Sequence, residues 1–164
     1  MKKILIITLL ILGSIGFANA QTDYCKDITI TDDKTMSFIA YRSPLFDPIA
    51  IGARLGRDDS HKSTLLSFLV FNKTANYESA GLYVIFADGT IWKDEGADIH
   101  CSYFDIDRGY RFGAVDEIKT EDEYKLFETK KIKSIKVGTL ELAISDEFAI
   151  KFMAYVKCID ALKK

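Results

Sequence analysis

The segment from Leu82 to Trp92 constrains the fold more than any other part of this chain. Two short runs of β-branched and aromatic residues flank Asp88-Gly89, a pair typical of tight type I′ hairpin turns. A two-residue turn places Ile85 opposite Trp92. This register predicts one apolar face made of Leu82, Val84, Phe86 and Ile91, and a second made of Tyr83, Ile85, Ala87 and Trp92.

Since both faces are apolar, this hairpin is expected near the middle of the fold, covered on both sides. The C-terminal helix is the natural cover for one of them. If that helix leaves the second face open, Tyr83, Ile85 and Trp92 form the candidate binding face of the protein. If the helix covers them, they are ordinary core residues.

Further elements follow from hydrophobic periodicity. Thr120 and Glu123 form a capping box that begins a short helix at about 121–128. A second hairpin turns at Gly138-Thr139 and pairs Val137 with Leu140. A long amphipathic helix is predicted at about 146–162. Strands are predicted at 28–30, 35–42, 49–55, 64–72, 98–104 and 110–116.

This succession of antiparallel strands followed by one long helix predicts an α+β domain that is mainly antiparallel β. We expect a curved sheet, a sandwich or a partly open barrel of about 7–9 strands, with the final helix packed across one opening or face.

The N-terminus has the pattern of a signal peptide. Lys2 and Lys3 precede an apolar run at 4–15, and Ala18-Asn19-Ala20 is a small-x-small cleavage site. The sequence therefore predicts a signal peptide at 1–20, a single β-rich domain at 21–164, and export to the periplasm or the extracellular space. An uncleaved N-terminal membrane anchor is the less favoured alternative.

Charge and hydropathy restrict the partners. Cleavage after residue 20 leaves 20 basic and 24 acidic residues of the 22 and 24 in the whole chain, a formal charge of −4. No stretch is strongly basic, so nucleic acid is not expected as a partner. No second apolar run approaches the ~18 residues of a spanning helix, so the cleaved protein is not expected to be integral to a membrane.

Three cysteines remain after cleavage: Cys25, Cys101 and Cys158. In an oxidising compartment a disulfide can persist, and we favour Cys25–Cys158 because the two ends of a domain often lie close together. The other two pairings remain open. Cys101 alternates in register with Ile99 and Tyr103 on a face predicted to point inward, which favours a buried, unreactive thiol.

No motif predicts a catalytic, cofactor or metal site. Asp59-Ser60-His61 contains the residue types of a catalytic triad, but sequence neighbours cannot converge in that geometry. His100 and Cys101 point to opposite faces of a strand. The segment 105–109 lacks ligands that a calcium loop requires, and a tight turn is favoured. The sequon Asn72-Lys73-Thr74 is interpreted as chance.

Two looser groupings of residues are compatible with a functional role and with a purely structural one. Asp88, Asp94 and Asp98 could gather at one end of a sheet, but carboxylates also simply occupy turns. Aromatic residues are typical of binding surfaces and of β-rich cores alike, and the core is favoured for most of them. These aromatic residues are Tyr24, Tyr41, Tyr77, Tyr83, Trp92, Tyr103 and Tyr110.

From Leu82 to Ile159 the chain resembles a group of small, uncharacterised secreted proteins of Gram-negative bacteria. The resemblance lies in Val84-Ile85-Phe86-Ala87-Asp88-Gly89-Thr90, Lys131-Ile132-Lys133-Ser134-Ile135 and Ala154-Tyr155-Val156-Lys157-Cys158-Ile159. It implies a periplasmic or secreted β-rich domain and implies no activity.

These observations favour a non-enzymatic secreted or periplasmic binding module, with an unknown protein or small ligand as partner. A secreted inhibitor of another enzyme is one alternative. A hydrolase with a site built from dispersed carboxylates is the other, and it is disfavoured because no motif supports it.

Overall fold

The computed structural model describes residues 23–34, 37–45, 47–56, 62–75 and 81–162. The predicted signal peptide, Asp59-Ser60-His61 and Tyr77 lie outside these ranges. Within them, a short 3-10 helix (Tyr24–Asp27) is followed by ten strands and two α-helices. The strands are β1 (Thr29–Asp33), β2 (Phe38–Arg42), β3 (Ile49–Gly56), β4 (Lys62–Asn72), β5 (Leu82–Phe86), β6 (Ile91–Asp94), β7 (His100–Asp105), β8 (Gly109–Glu117), β9 (Ile132–Val137) and β10 (Leu140–Ala143). The helices are α1 (Glu121–Thr129), between β8 and β9, and α2 (Asp146–Leu162), after β10.

The strands form two antiparallel sheets. The larger has six strands in the order β1-β2-β3-β4-β8-β7, and the smaller has four in the order β10-β9-β5-β6. The predicted α+β class with a C-terminal helix is confirmed, and the described strands form no closed barrel. Ten strands form, one for each strand segment and hairpin arm predicted above, so the expected total of about seven to nine was slightly low.

One core joins the two sheets and both helices. Alternating side chains of β4, including Leu66 and Phe68, point into it from the larger sheet, and Val84 and Phe86 point into it from β5. Helix α2 packs on β2, β3 and β9 and buries the large side chains of Phe152, Tyr155 and Ile159. The larger sheet therefore has its core face covered by the second sheet and by α2.

The capping box and the second hairpin form as predicted. Thr120 Oγ1 accepts from the Glu123 backbone N–H at 3.1 Å, while the Glu123 carboxylate accepts from the Thr120 N–H at 3.1 Å. The β9–β10 hairpin pairs Val137 with Leu140, and Gly138 at the turn has φ +59°.

The predicted register of the β5–β6 hairpin is wrong by one residue. Phe86 donates its N–H to the Thr90 carbonyl at 2.9 Å, and Gly89 donates to the Phe86 carbonyl at 3.0 Å. The loop thus has three residues, with Gly89 in the left-handed conformation at φ +86°. Trp92 consequently lies opposite Val84 instead of Ile85.

The N-terminal 3-10 helix is held against α2. Cys25 and Cys158 form a disulfide with a Cα–Cα distance of 5.4 Å, which confirms the predicted pairing. Beside it, Tyr155 donates its hydroxyl to the Asp27 carboxylate at 3.2 Å. Among the described residues no helix is both long enough and apolar enough to cross a membrane.

Candidate binding surface

The one-residue shift separates the three residues of the predicted binding face. Trp92 is 5% exposed and lies on the core face, where its ring stacks on Phe68 at 5.9 Å and meets the edge of Phe127 at 5.5 Å. Tyr83 and Ile85 point to the opposite face, where both are half-buried. The structure therefore does not bring Tyr83, Ile85 and Trp92 together, and Trp92 is a core residue.

The outward face of the β5–β6 hairpin is modest in extent. Ile91, 55% exposed, lies opposite Ile85, and the Lys136 ammonium lies 5.6 Å from the centre of the Tyr83 ring. None of the cavities found among the described residues is lined by this face. It offers a flat strip, while the larger sheet offers a concave surface.

The predicted inward face of β7 also differs from expectation. Ile99 is buried, but Cys101 is half-buried and Tyr103 is 63% exposed. The reason is that β7 is an edge strand whose inner side extends past the core. Cys101 carries a free thiol and packs partly against the core.

The acidic residues considered above occupy turns and local ion pairs. Asp88 accepts from Lys130 Nζ at 2.7 Å, and this hydrogen bond, with one from the Thr90 N–H, lowers the pKa of Asp88 to about 2. Asp94 accepts from the Gly96 N–H at 2.9 Å, and Asp98 lies 3.5 Å from His100. In the described part of the chain no three His, Cys, Asp or Glu side chains are grouped to hold a metal ion.

The 105–109 segment is a turn, as predicted. The Asp105 carboxylate accepts from the backbone N–H of Arg108 at 2.6 Å and from its guanidinium at 3.2 Å, and these bonds lower the pKa of Asp105. In the sequon, the Asn72 amide is 3.4 Å from the Thr74 hydroxyl, a local contact within the loop after β4.

Asp116 is a largely buried carboxyl at the end of β8. Its side chain is 11% exposed, and burial, together with the neighbouring Asp94 carboxyl, raises its pKa. Lys119 Nζ lies 4.0 Å from its Oδ1. Asp94 and Asp116 lie near the ends of β6 and β8, and neither side chain lines one of the cavities described among these residues.

The concave surface lies on the outer face of the six-stranded sheet. Side chains of β3, β4 and β8 that point away from the core line two adjoining depressions of about 360 Å³ and 180 Å³, which share three lining residues. We call this surface the outer-face trough and define it by Leu45, Ala50, Gly52, Ser67, Gly113 and Val115.

Strand pairing explains why these residues form one floor. Ser67 of β4 lies opposite Ala50 of β3 on one side and opposite Val115 of β8 on the other, so the three form a row across the sheet. The small side chains along this face bring the backbone close to the surface. Leu45, in the segment between β2 and β3, lies over this row. The side chain of Leu45 is 50% exposed and that of Val115 is 61% exposed. The floor is therefore shallow and apolar.

Cations lie at both ends of the trough. Arg42 and Arg54 line the smaller depression, and Arg111 lines the larger one. Arg42 donates to the Thr31 hydroxyl at 3.5 Å and Arg54 lies over the Phe38 ring at 5.4 Å. Among residues 23–34, 37–45, 47–56, 62–75 and 81–162, no carboxylate forms an ion pair with any of the three.

The trough also contains hydroxyl and imidazole groups that could suggest hydrolysis. His100 and Ser102 share the outer face of β7, and Asp98 lies 3.5 Å from the His100 ring. The described contacts include no hydrogen bond between His100 and Ser102, and the side chains of Asp98 and His100 are 85% and 81% exposed. A nucleophile needs a base within hydrogen-bond reach, so these groups are better suited to contacting a ligand than to attacking one.

Sequence reasoning missed this surface. The available signal was β4, whose second face carries Leu65, Leu69 and Phe71, and which therefore needed cover on both sides. What the sequence did not reveal is that β8 pairs with β4 and adds Gly113 and Val115 to that face.

Comparisons of this chain with protein-family models, with curated proteins and with solved structures found no match.

Proposed function

We propose that this protein is a non-enzymatic binding module, exported to the periplasm or the extracellular space, that holds its partner in the outer-face trough. The observation that carries the proposal is the trough itself. One face of the larger sheet is covered by the second sheet and α2, while the other presents an apolar floor flanked by arginines without ion-pair partners in the described chain.

Apolar surface exposed to water in the trough is unfavourable, and a bound partner would bury it. Leu45 and Val115 expose apolar surface next to an apolar floor, and an exposed contiguous patch of this kind is typical of interaction sites. Burying such surface contributes ~25 cal/mol per Å² before the costs of association. The guanidinium groups at the ends, which form no ion pair with a described carboxylate, add orientation, because a partner with carboxylates can pair with them and one with cations cannot.

Export is supported by two independent features. Residues 1–20 have the sequence pattern of a signal peptide. The Cys25–Cys158 disulfide is compatible with an oxidising compartment, where such a bond persists. Inhibition of another enzyme is one form that binding through the trough can take.

Site-specific photo-cross-linking tests the proposal. A benzophenone amino acid is introduced at Val115, at the centre of the trough, and separately at Ile91, which has similar exposure on the other sheet. Each variant is expressed in the native host and irradiated in whole cells and culture fluid. We expect a discrete cross-linked species from position 115 that is absent from position 91. Cross-linking of equal pattern from both positions, or from neither, would overturn the proposal.

A further inference from the structure

We propose that the occupant of the trough is an amphipathic α-helix of a partner protein, with an apolar stripe bounded by acidic residues at both ends. This inference rests on the proposed function, because it concerns the same surface. It is carried by three features of the trough: its apolar floor, its open shape and the positions of its arginines.

The spacing of the arginines follows from the strand register. Arg54 lies opposite Ser63 of β4 and Arg111 lies opposite Phe71 of the same strand, eight residues further along. Eight residues of strand cover about 26 Å, and β3 and β8 are about 10 Å apart across β4. The two arginine Cα atoms are therefore about 28 Å apart, with Arg42 close to the Arg54 end. A helix covers this distance with about 18 residues.

The floor favours a helix over an extended segment. The trough is formed by the face of a sheet, whose backbone N–H and C=O groups are paired within the sheet. An extended segment laid on this face would leave its own backbone groups unpaired against Ala50, Gly52 and Val115. A helix satisfies its backbone internally and presents only side chains to the floor, as in helix-in-groove recognition.

The charge distribution favours acidic ends. Arg42, Arg54 and Arg111 have no ion-pair partner among the described residues. The described strand carboxylates on this face lie at its margins. Asp33 is on the edge strand β1, Glu117 is at the end of β8, and Asp105, at the end of β7, is paired with Arg108. The chain as a whole has a net charge of −2, so this face is locally more cationic than the molecule. A second copy would present the same arginines if it docked through the same face, which disfavours self-association there.

Selection from a displayed peptide library tests the inference. The library consists of helix-forming peptides of about 18 residues displayed on yeast cells. Positions on the apolar stripe of each peptide vary among Ala, Leu, Met and Phe, and the other positions vary among Glu, Lys and Gln. The mature disulfide-bonded protein is the bait, Val115→Asp is the trough-blocked bait and Ile91→Asp is the matched control. Both substituted side chains are largely exposed, so both variants should fold, and circular dichroism checks this.

We expect enriched peptides to carry Glu in the first and last turns, to bind the Ile91→Asp protein normally and to lose at least tenfold in affinity for Val115→Asp. Replacing Arg111 by Gln should weaken binding of a Glu-ended peptide by about twofold to fivefold and leave the Gln-ended version unchanged.

The outcomes separate the two proposals. Peptides that depend on Val115 but show no preference for Glu over Lys at their ends would overturn the inference of an acidic helix. The proposal that the trough binds a partner would still hold. Peptides that bind Val115→Asp as well as the natural protein, or a library that yields no enrichment, overturn both. Sodium dodecanoate is a competitor in the same assay. If it displaces a selected peptide at a lower concentration than the free peptide does, the inferred occupant is an anionic amphiphile and the helix is overturned.

Discussion

Replacing Trp92 by alanine tests whether the β5–β6 hairpin belongs to the core or to a binding face. Trp92 is 5% exposed, stacks on Phe68 at 5.9 Å and contacts Phe127 edge-on at 5.5 Å. Truncating a buried aromatic side chain of this size costs ~3–5 kcal/mol. The indole N–H of Trp92 has no hydrogen-bond partner in the described chain. Truncation removes this unsatisfied buried donor, which offsets part of the loss in stability. We therefore expect a loss of about 3 kcal/mol in the free energy of unfolding.

Urea unfolding followed by far-UV circular dichroism measures this loss, because Trp92 is the single tryptophan and the tryptophan fluorescence signal is lost in the variant. Ile91→Ala is the matched control. Ile91 is 55% exposed and should lose no more than about 0.5 kcal/mol. A two-residue turn would instead place Ile91 in the core, where truncation costs ~2–5 kcal/mol. A larger loss for Ile91→Ala than for Trp92→Ala would refute the register.

Three further predictions concern stability. Removing the disulfide with Cys25→Ser and Cys158→Ser should lower the free energy of unfolding by about 4–5 kcal/mol, since the bridge closes a sequence separation of 133 residues; a loss below about 1 kcal/mol in urea titration would contradict this. Thr120→Ala removes the cap of α1 and should cost about 1 kcal/mol in the same assay, whereas Thr120→Ser should cost little. Asp116→Asn should stabilise the protein at pH 7, because burial raises the pKa of Asp116 and ionisation of its carboxyl is therefore unfavourable in the folded state. This gain in the free energy of unfolding should shrink as the pH falls through that pKa. An NMR titration of the Asp116 carboxyl with a midpoint below 3.8 would contradict this prediction.

The elements predicted most accurately are those set by local sequence. The capping box at Thr120 and Glu123, and the helix from Asp146, depend on residues a few positions apart, and both form as expected. The β9–β10 register was also predicted, because the apolar pair Val137 and Leu140 fixes it at the turn.

The β5–β6 register could not be fixed in this way. Asp88-Gly89 is compatible both with a two-residue turn and with a three-residue loop that begins at Ala87 and ends with Gly89 in the left-handed conformation. Both faces of the hairpin are apolar, so hydrophobic alternation does not distinguish the two registers. The predicted grouping of Tyr83, Ile85 and Trp92 was wrong for this reason.

The trough depends on non-local pairing. Ser67 and Val115 are 48 positions apart in the chain and become neighbours only because β8 pairs with β4. Hydrophobic pattern showed that β4 has two apolar faces, but it carries no information on which strand lies beside it. The arginines at the two ends are likewise brought onto one surface by strand order and register.

Backbone NMR of the isotope-labelled protein, titrated with a peptide selected from the displayed library, locates the surface on which a partner binds. We expect the largest amide shift changes on β3, β4 and β8, around Ala50, Ser67 and Val115, and little change on β5 and β6. Shift changes centred on the outward face of the β5–β6 hairpin, around Tyr83 and Ile91, would contradict it.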